Sequence, residues 1–241
     1  MLKICGYTSQ SHPMRSLRLR LPTFNSRDPP QPRYVFTCRS ILTRRKVSTM
    51  DYRRIIDELK KFRTFMVSRQ RAAHMERMEE DAIAFSKIHS VSVDKLLVSV
   101  CAHDLFRDVE PYKLMKIATL WGVKITAVEK HLPLLLHGKV AAEYVKRRFG
   151  LHDEEILDAI AYHTSGIPTD SKIVKSMFIL DSTESGRVFD GVDELRNMAL
   201  VSIDKGYEAI IKNKLIYAIT NDLLVLPETV ETWNYMRGVR D

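Results

Sequence analysis

Apolar residues recur at helical spacing along most of the chain from residue 51 onward. In the first such stretch, Ile55, Leu59 and Phe62 follow one another at intervals of four and three, which places them on one helix face. No stretch shows the alternation of apolar and polar residues that is typical of a half-buried strand. The predicted helices cover residues 51–66, 69–89, 93–104, 113–121, 137–149, 154–163, 172–182, 192–203, 204–222 and 227–236. The pattern therefore predicts an all-α fold.

Residues that cap helices mark several of these boundaries. Ser68, Asp153 and Ser171 each stand directly before an apolar-periodic segment, and their side chains can accept hydrogen bonds from the first free backbone N–H groups of a helix. Gly150 follows the helix at 137–149 and is predicted to end it, since glycine readily adopts the left-handed conformation of a C-cap.

Six side chains that can bind metals are predicted to point into the core from five different helices. They are His74, His103, Asp104, His137, His163 and Asp181. Any one of these histidines taken alone is more typical of a core histidine that is satisfied by a hydrogen bond. Together they need partners, because an unpaired buried charge is very costly, and a divalent cation satisfies several at once. Imidazole and carboxylate donors favour iron, manganese, zinc or cobalt over metals that prefer thiolates.

The chain contains a second His-Asp pair, His152-Asp153, which we interpret differently. Asp153 opens a helix and is followed by two glutamates, an arrangement that favours a helix N-terminus electrostatically. That pair is predicted to be structural, whereas His103-Asp104 ends an apolar helix. Two further histidines, His89 and His131, lie at helix ends or in connections and are expected, like His152, to be solvated.

The first 49 residues differ in composition from the rest of the chain. Of 38 basic and 30 acidic residues, ten basic and one acidic lie in 1–49 (net +9), which leaves 28 and 29 for 50–241 (net −1). Five of nine prolines also lie in 1–49. We therefore expect 1–49 to be a disordered basic tail and 50–241 to be the working domain. The tail is interpreted as a targeting segment, an arm for nucleic acid or an upstream extension; the last is favoured because the helical pattern starts at Asp51.

The cysteines and the apolar runs bear on the cellular compartment. Cys101 is the only cysteine outside the tail, so the sequence predicts neither a disulfide framework nor a cysteine metal site, and a reducing, cytoplasmic location is expected. No apolar run approaches the roughly 20 residues of a membrane span, so no membrane partner is expected. The near-neutral charge of residues 50–241 gives no indication of nucleic acid as their partner.

The order of four of the six candidates resembles that of a known family. His74, then His103-Asp104, then Asp181 follow the H…HD…D pattern of the HD-domain metal-dependent phosphohydrolases. Four further segments resemble the YqeK-type branch, the symmetrical dinucleoside tetraphosphatases: L-L-H-G-K-V-A-A-E at 135–143, A-I-A-Y-H-T-S-G at 159–166, E-S-G-R-V-F-D-G-V-D-E-L-R at 184–196 and L-P-E-T-V-E-T-W-N at 226–234. The resemblance covers residues 65–236 and none of the tail.

The resemblance implies an HD-domain helical bundle with a metal site between its helices. His74, His103, Asp104 and Asp181 would bind a divalent metal, with iron preferred and manganese, cobalt or zinc as alternatives. His137 and His163 would act in catalysis, either by contacting phosphate or by completing a site for a second ion. Asp104 would hold the attacking water. The implied substrate is a dinucleoside polyphosphate, above all diadenosine tetraphosphate, which would be cleaved to two ADP.

Four more residues are candidates for binding substrate. Arg71, Arg107 and Arg187 lie near the candidate ligands in sequence, and the planar fork of arginine grips phosphate oxygens well. Each could instead be a solvated surface charge. Thr164 could offer its hydroxyl to phosphate or cap the turn before Gly166.

The sequence also departs from the family pattern at a few positions. Arg107 stands where the family usually has lysine, Glu184-Ser185 stands where Glu-Pro is usual, and Ser182 replaces a bulkier residue. Two alternative functions stay open: another HD nucleotidase or cyclic-nucleotide phosphodiesterase, and a non-catalytic HD adaptor whose tail binds RNA. A homodimer is an additional hypothesis.

Overall fold

Helices form the regular structure of the part of the chain that the computed structural model describes, residues 50–239. They are α1 (Tyr52–Met66), α2 (Arg69–His89), α3 (Val93–Ala102), α4 (Pro111–Trp121), α5 (Ala127–His131), α6 (His137–Phe149), α7 (Glu154–Ala161), α8 (Lys172–Thr183), α9 (Val192–Val201), α10 (Ile203–Thr220) and α11 (Pro227–Met236), with a 3₁₀ turn at Pro133–Leu136. The predicted all-α fold is confirmed over this range. The predictions for residues 1–49 concern a segment outside the described residues.

Capping interactions fix the helix ends where the sequence predicted them. Ser68 accepts a hydrogen bond from the backbone N–H of Arg71, and Asp153 accepts one from that of Glu155. Gly150 ends α6 with φ +63°, in the left-handed region. Helices α3 and α7 end two residues earlier than predicted, at Ala102 and Ala161. Helix α5, which the periodicity did not predict, is held by a capping box between Thr126 and Glu129.

Helix α3 is the centre of the fold. It packs against α1, α2, α6, α7 and α8. Val98 and Cys101 belong to one hydrophobic core, built with α1, α4, α6 and α7, while Leu96 and Val100 belong to a second, built with α2, α8, α9 and α10. All four of these side chains are fully buried. Burying a side chain such as Leu96 stabilises the fold by roughly 1.5–3 kcal/mol, so α3 is held on both sides.

The start of α6 lies very close to the end of α7. A Cβ added to Gly138, near the start of α6, would lie 2.8 Å from the carbonyl oxygen of Ala161 and 2.9 Å from that of Ile160. Real Cβ atoms do not sit this close to backbone, so only glycine fits. The start of α6 can therefore press against the end of α7, and this brings His137 next to His163.

Among the described residues, no helix has both the length and the apolar character needed to cross a membrane.

Candidate metal centre

The end of α3 presents His103 and Asp104 to the space between the helices. His103 is fully buried, and its Nδ1 donates to the carbonyl of Val100 at 2.8 Å. Its Nε2 has no hydrogen-bond partner among the described residues and lies 3.8 Å from Asp104 Oδ2 and 3.9 Å from Asp181 Oδ1. Burial lowers the pKa of His103 to about 3. The neutral ring therefore directs an unprotonated nitrogen at two carboxylates, as a metal ligand would.

His74 on α2 and Asp181 on α8 complete a first group of donors around His103. His74 Nε2 lies 3.3 Å from Asp181 Oδ1. His74, His103 and Asp104 each offer one ligand atom, and all three atoms lie within 4.8 Å of one another. Burial lowers the pKa of His74, but its hydrogen bonds to Asp181 and Glu184 outweigh burial and raise that pKa to about 9. The structure thus brings together the four residues predicted as ligands of one metal.

His137 and His163 form a second group with Asp104. Their Nε2 atoms are 3.0 Å apart, and they lie 3.3 Å and 3.7 Å from Asp104 Oδ1. Their Nδ1 atoms donate to the carbonyls of Leu134 and Ile160 at 2.7 and 2.8 Å. With the ring protons on Nδ1, two nitrogen lone pairs and a carboxylate oxygen face one another. Such an arrangement is repulsive unless a proton or a metal cation lies between them.

The rings of the three buried histidines are oriented by the same kind of hydrogen bond. His103, His137 and His163 each donate Nδ1–H to the backbone carbonyl three residues earlier. The tautomer is assigned from this partner, since a ring nitrogen facing a carbonyl must carry the proton. This hydrogen bond leaves the Nε2 atom of each of the three rings available to bind a metal, and it fixes the plane of each ring in the absence of the metal.

Asp104 connects the two groups. Its Oδ1 faces His137 and His163, while its Oδ2 lies 2.5 Å from Nη1 of Arg71 and 3.8 Å from His103 Nε2. Burial would raise the pKa of Asp104, but the neighbouring histidines hold it well below its ordinary value. The carboxylate is therefore ionised and can serve both groups at once.

The three arginines predicted to bind phosphate have different surroundings. Arg71 is occupied twice, since its Nε also pairs with Asp108 Oδ1 at 2.9 Å. Arg187 is less enclosed, with 43% of its side chain exposed, and its Nη2 lies 3.2 Å from Asp181 Oδ1. Arg107 is half-buried and has no ion-pair partner among residues 50–239, and burial lowers its pKa. Arg107 is thus the arginine whose hydrogen-bonding capacity is least used.

Thr164 lies beside the cluster and not within it. Thr164 lines a small pocket together with Lys139, Tyr162 and Ser165, and none of the six candidate ligands lines that pocket. Its backbone carbonyl accepts a hydrogen bond from Lys214 Nζ at 3.0 Å. The predicted contact between the Thr164 hydroxyl and phosphate stays a prediction.

The sequence indicated Glu184 only as part of a family motif. In the structure its carboxylate contacts His74, one of the candidate metal ligands. The carboxylate is 3% exposed and lies 3.3 Å from Nδ1 of His74. It also accepts from Nε of Arg77 at 2.8 Å and from the N–H of Gly186 at 2.6 Å. Burial raises the pKa of Glu184, but these hydrogen bonds outweigh it and lower the pKa to about 2. Glu184 therefore orients His74 from the side opposite Asp181.

The donor set and its spacing fit a divalent metal centre. Protein ligands lie about 2.0–2.2 Å from zinc and similar metals, so neighbouring ligand atoms are roughly 3–4 Å apart. The distances between Nε2 and carboxylate oxygens in both groups fall between 3.3 and 3.9 Å. The donors are nitrogen and oxygen only, as expected for a metal of intermediate hardness.

Comparisons with known proteins identify the family of the chain. The HD domain family matches residues 71–198. A symmetrical bis(5'-nucleosyl)-tetraphosphatase of Staphylococcus aureus is 30% identical over 191 residues, 75% of this chain and 93% of the relative. Its counterpart in Bacillus subtilis is 31% identical over 177 residues, 70% of this chain and 91% of the relative.

A solved structure of the same family is similar in fold. It is a predicted HD superfamily hydrolase involved in NAD metabolism from Clostridium acetobutylicum, with 27% identity and a TM-score of 0.71, and the match covers 76% of this chain and 96% of that one. All six candidate ligands lie inside the segment that the family matches. The chain therefore belongs to the HD-domain family.

Proposed function

We propose that the protein is a metal-dependent hydrolase of dinucleoside polyphosphates, which cleaves diadenosine tetraphosphate into two ADP. The substrate is supported by the relatives named symmetrical bis(5'-nucleosyl)-tetraphosphatase, which match over most of their length. The chemistry is supported by one observation above all: ionised Asp104 lies between the buried Nε2 of His103 on one side and the Nε2 atoms of His137 and His163 on the other.

The residues that would hold the metal follow from that observation. His74, His103, Asp104 and Asp181 are proposed to bind one ion, and Asp104, His137 and His163 a second, with iron as the metal in both positions. When bound, such ions supply Lewis-acid polarisation of phosphoryl oxygens and a water molecule of lowered pKa.

Side chains of the protein are proposed to position the water molecule that attacks phosphorus. Asp104 orients the attacking water, because it is the carboxylate that faces both groups of histidines. The water oxygen forms a bond to one of the two central phosphorus atoms, the bridging P–O bond breaks, and the second ADP leaves with the bonding pair. The proton of the water passes to solvent, so one tetraphosphate and one water give two ADP.

Cationic side chains are proposed to stabilise the charge that gathers on the phosphates. Arg107 suits this role because it has no ion-pair partner within residues 50–239. Arg187 suits it because 43% of its side chain is exposed, although its Nη2 lies 3.2 Å from Asp181 and its Nε 3.9 Å from Glu184. Arg71 holds Asp104 and Asp108 at the same time, so holding Asp104 in position is the better-supported role for it.

The direct test is product analysis with the purified full chain and iron or manganese. Diadenosine tetraphosphate should give ADP alone, without AMP and ATP. In ¹⁸O-labelled water, one of the two ADP molecules should carry the label on its β-phosphate. A chelator should abolish turnover, and added metal should restore it.

Other outcomes would assign a different function. Cleavage of nucleoside triphosphates or cyclic nucleotides, with the tetraphosphate left intact, would reject the substrate but keep the class of hydrolase. Protein that neither contains metal nor turns over any of these substrates would favour an adaptor.

Three further points complete the proposal. Residues 50–241 are proposed to be the catalytic unit, with residues 1–49 dispensable, and turnover by the truncated chain tests this. A cytoplasmic location is proposed from the cysteine usage of the sequence. Sizing in solution tests the homodimer.

A further inference from the structure

Lys214 on α10 reaches toward the metal centre from a direction that the sequence did not indicate. Its ammonium donates to the carbonyl of Thr164 at 3.0 Å, directly after His163 in the chain. The same nitrogen lies 4.4 Å from the ring centroid of Phe178 on α8. These two contacts hold the ammonium beside the end of α7 and the half of α8 that carries Asp181.

The ammonium of Lys214 is only partly satisfied by the protein. It has three donors, of which the carbonyl of Thr164 takes one. No carboxylate within residues 50–239 lies at ion-pair distance from it, and the charges that act on it are those of Asp181 and Arg187. Burial lowers the pKa of Lys214 to about 8. An enclosed cation with unused donors is costly unless an anion can reach it.

With Lys214 included, cations lie on both sides of the centre. Arg71 contacts Asp104, and Arg107 lies within the electrostatic reach of the same carboxylate. At the other end, Arg187 contacts Asp181, and Lys214 lies within the electrostatic reach of Asp181. A chain of phosphates that crosses the metal centre would therefore meet positive charge at both ends.

We propose that Lys214 binds substrate by donating hydrogen bonds to phosphate oxygens on the Asp181 side of the metal centre. Only the identity of the substrate rests on the function proposed above; the ligand chemistry, a nucleoside phosphate, does not. In this role Lys214 contributes to binding more than to the chemical step, because the bond that breaks lies at the metal centre. A merely structural Lys214 would instead tether the turn at Thr164.

The test compares substitutions that separate these two roles. Lys214→Gln removes the charge and keeps a donor for the Thr164 carbonyl, while Lys214→Arg keeps the charge. Lys212→Gln is the matched control, since Lys212 lies two residues earlier on α10 and is exposed. Each full-length variant is loaded with manganese. Its metal content, its melting temperature, its affinity for ADP by calorimetry, and kcat and KM with diadenosine tetraphosphate are then measured.

Lys214→Gln should weaken ADP binding and raise KM by about tenfold or more, as expected for the loss of a charge-assisted hydrogen bond. Its kcat should change less than threefold, and its metal content and melting temperature should match the wild type. Lys214→Arg should restore most of the affinity, and Lys212→Gln should behave as the wild type.

Several results would overturn the role of Lys214. Unchanged ADP affinity and KM in Lys214→Gln would do so, and so would a lower melting temperature together with a lower kcat but no change in ADP affinity. Failure of the metal-loaded wild type to bind ADP would also reject it. If the wild type binds ADP but leaves diadenosine tetraphosphate intact, the proposed function fails while Lys214 is still judged by ADP affinity.

Discussion

The chain contains the same dipeptide twice, and the two copies have opposite surroundings. His103 is 0% exposed and Asp104 5% exposed at the end of α3, where both face other titratable groups. His152 is exposed, and Asp153 accepts from the backbone N–H of Glu155 at 3.2 Å and pairs with Lys95 at 2.8 Å. One pair ends a helix inside the protein, and the other begins a helix at its surface.

The difference shows that a His-Asp dipeptide does not by itself indicate a metal site. The carboxylate of Asp153 accepts a hydrogen bond from a backbone N–H, as a helix N-cap does, and forms an ion pair with an ammonium group. Asp104 directs its oxygens at imidazole nitrogens from α3, α6 and the end of α7. The position of the pair within the fold therefore decides which copy can bind a metal.

Replacing the two aspartates in parallel should give the largest contrast. Asp104→Asn keeps the size of the side chain but removes the charge that both groups share, so turnover of diadenosine tetraphosphate should fall by about 10³-fold or more. Bound metal should fall as well. Asp153→Asn, the matched control, should retain wild-type turnover. Kinetics and metal analysis of both variants provide the measurement, and an Asp104→Asn enzyme within tenfold of wild type would contradict the role of Asp104.

Replacing Glu184 should have a smaller effect on the same site. Glu184→Gln weakens the hydrogen bond that orients His74, so metal affinity should drop by about 10- to 100-fold, as is usual when a partner of a metal-binding histidine is lost. Excess metal should restore turnover, in contrast to Asp104→Asn. Glu194, exposed on α9, offers a control in Glu194→Gln. Competition with a metal-binding dye measures the affinity, and equal affinity in both variants would show that Glu184 does not support His74.

The sequence predicted the fold well because most helices are long and amphipathic. Helix α5 has five residues, too few for a period to show, and its capping box acts locally. Helices α3 and α7 were predicted too long, since His103 and His163 keep the apolar spacing past the last regular turn. His89, which was predicted to be solvated, is partly buried: its ring lies 4.3 Å from that of Phe85 and its Nε2 is buried.

The sequence predicted which site residues lie on inward helix faces, but it did not predict how their side chains are oriented or which distant residues contact them. Inward faces identified the four histidines and two aspartates, and the structure brings all six together. Which ring nitrogen faces the centre depends on a carbonyl three residues earlier, and the periodicity carries no information about that contact. Glu184 lies 110 residues from His74 in the chain, so only the packing of α2 against α8 reveals their hydrogen bond. Lys214 was missed for the same reason.

The smallest effects should come from the surface pair. Asp153→Ala removes a helix cap and a partly exposed ion pair with Lys95, which together contribute about 1–2 kcal/mol to the free energy of unfolding. For a domain of this size that loss lowers the melting temperature by about 2–8 °C. His152→Ala should change the stability by less than about 0.5 kcal/mol, because its side chain is exposed. Both variants should retain the kcat and the metal content of the wild type, because neither residue contacts the metal centre. Thermal unfolding and turnover measured on the same samples separate the two quantities. Loss of turnover or metal in a folded Asp153→Ala variant would show that the second His-Asp pair is more than a helix cap, and the contrast between the two copies would then fail.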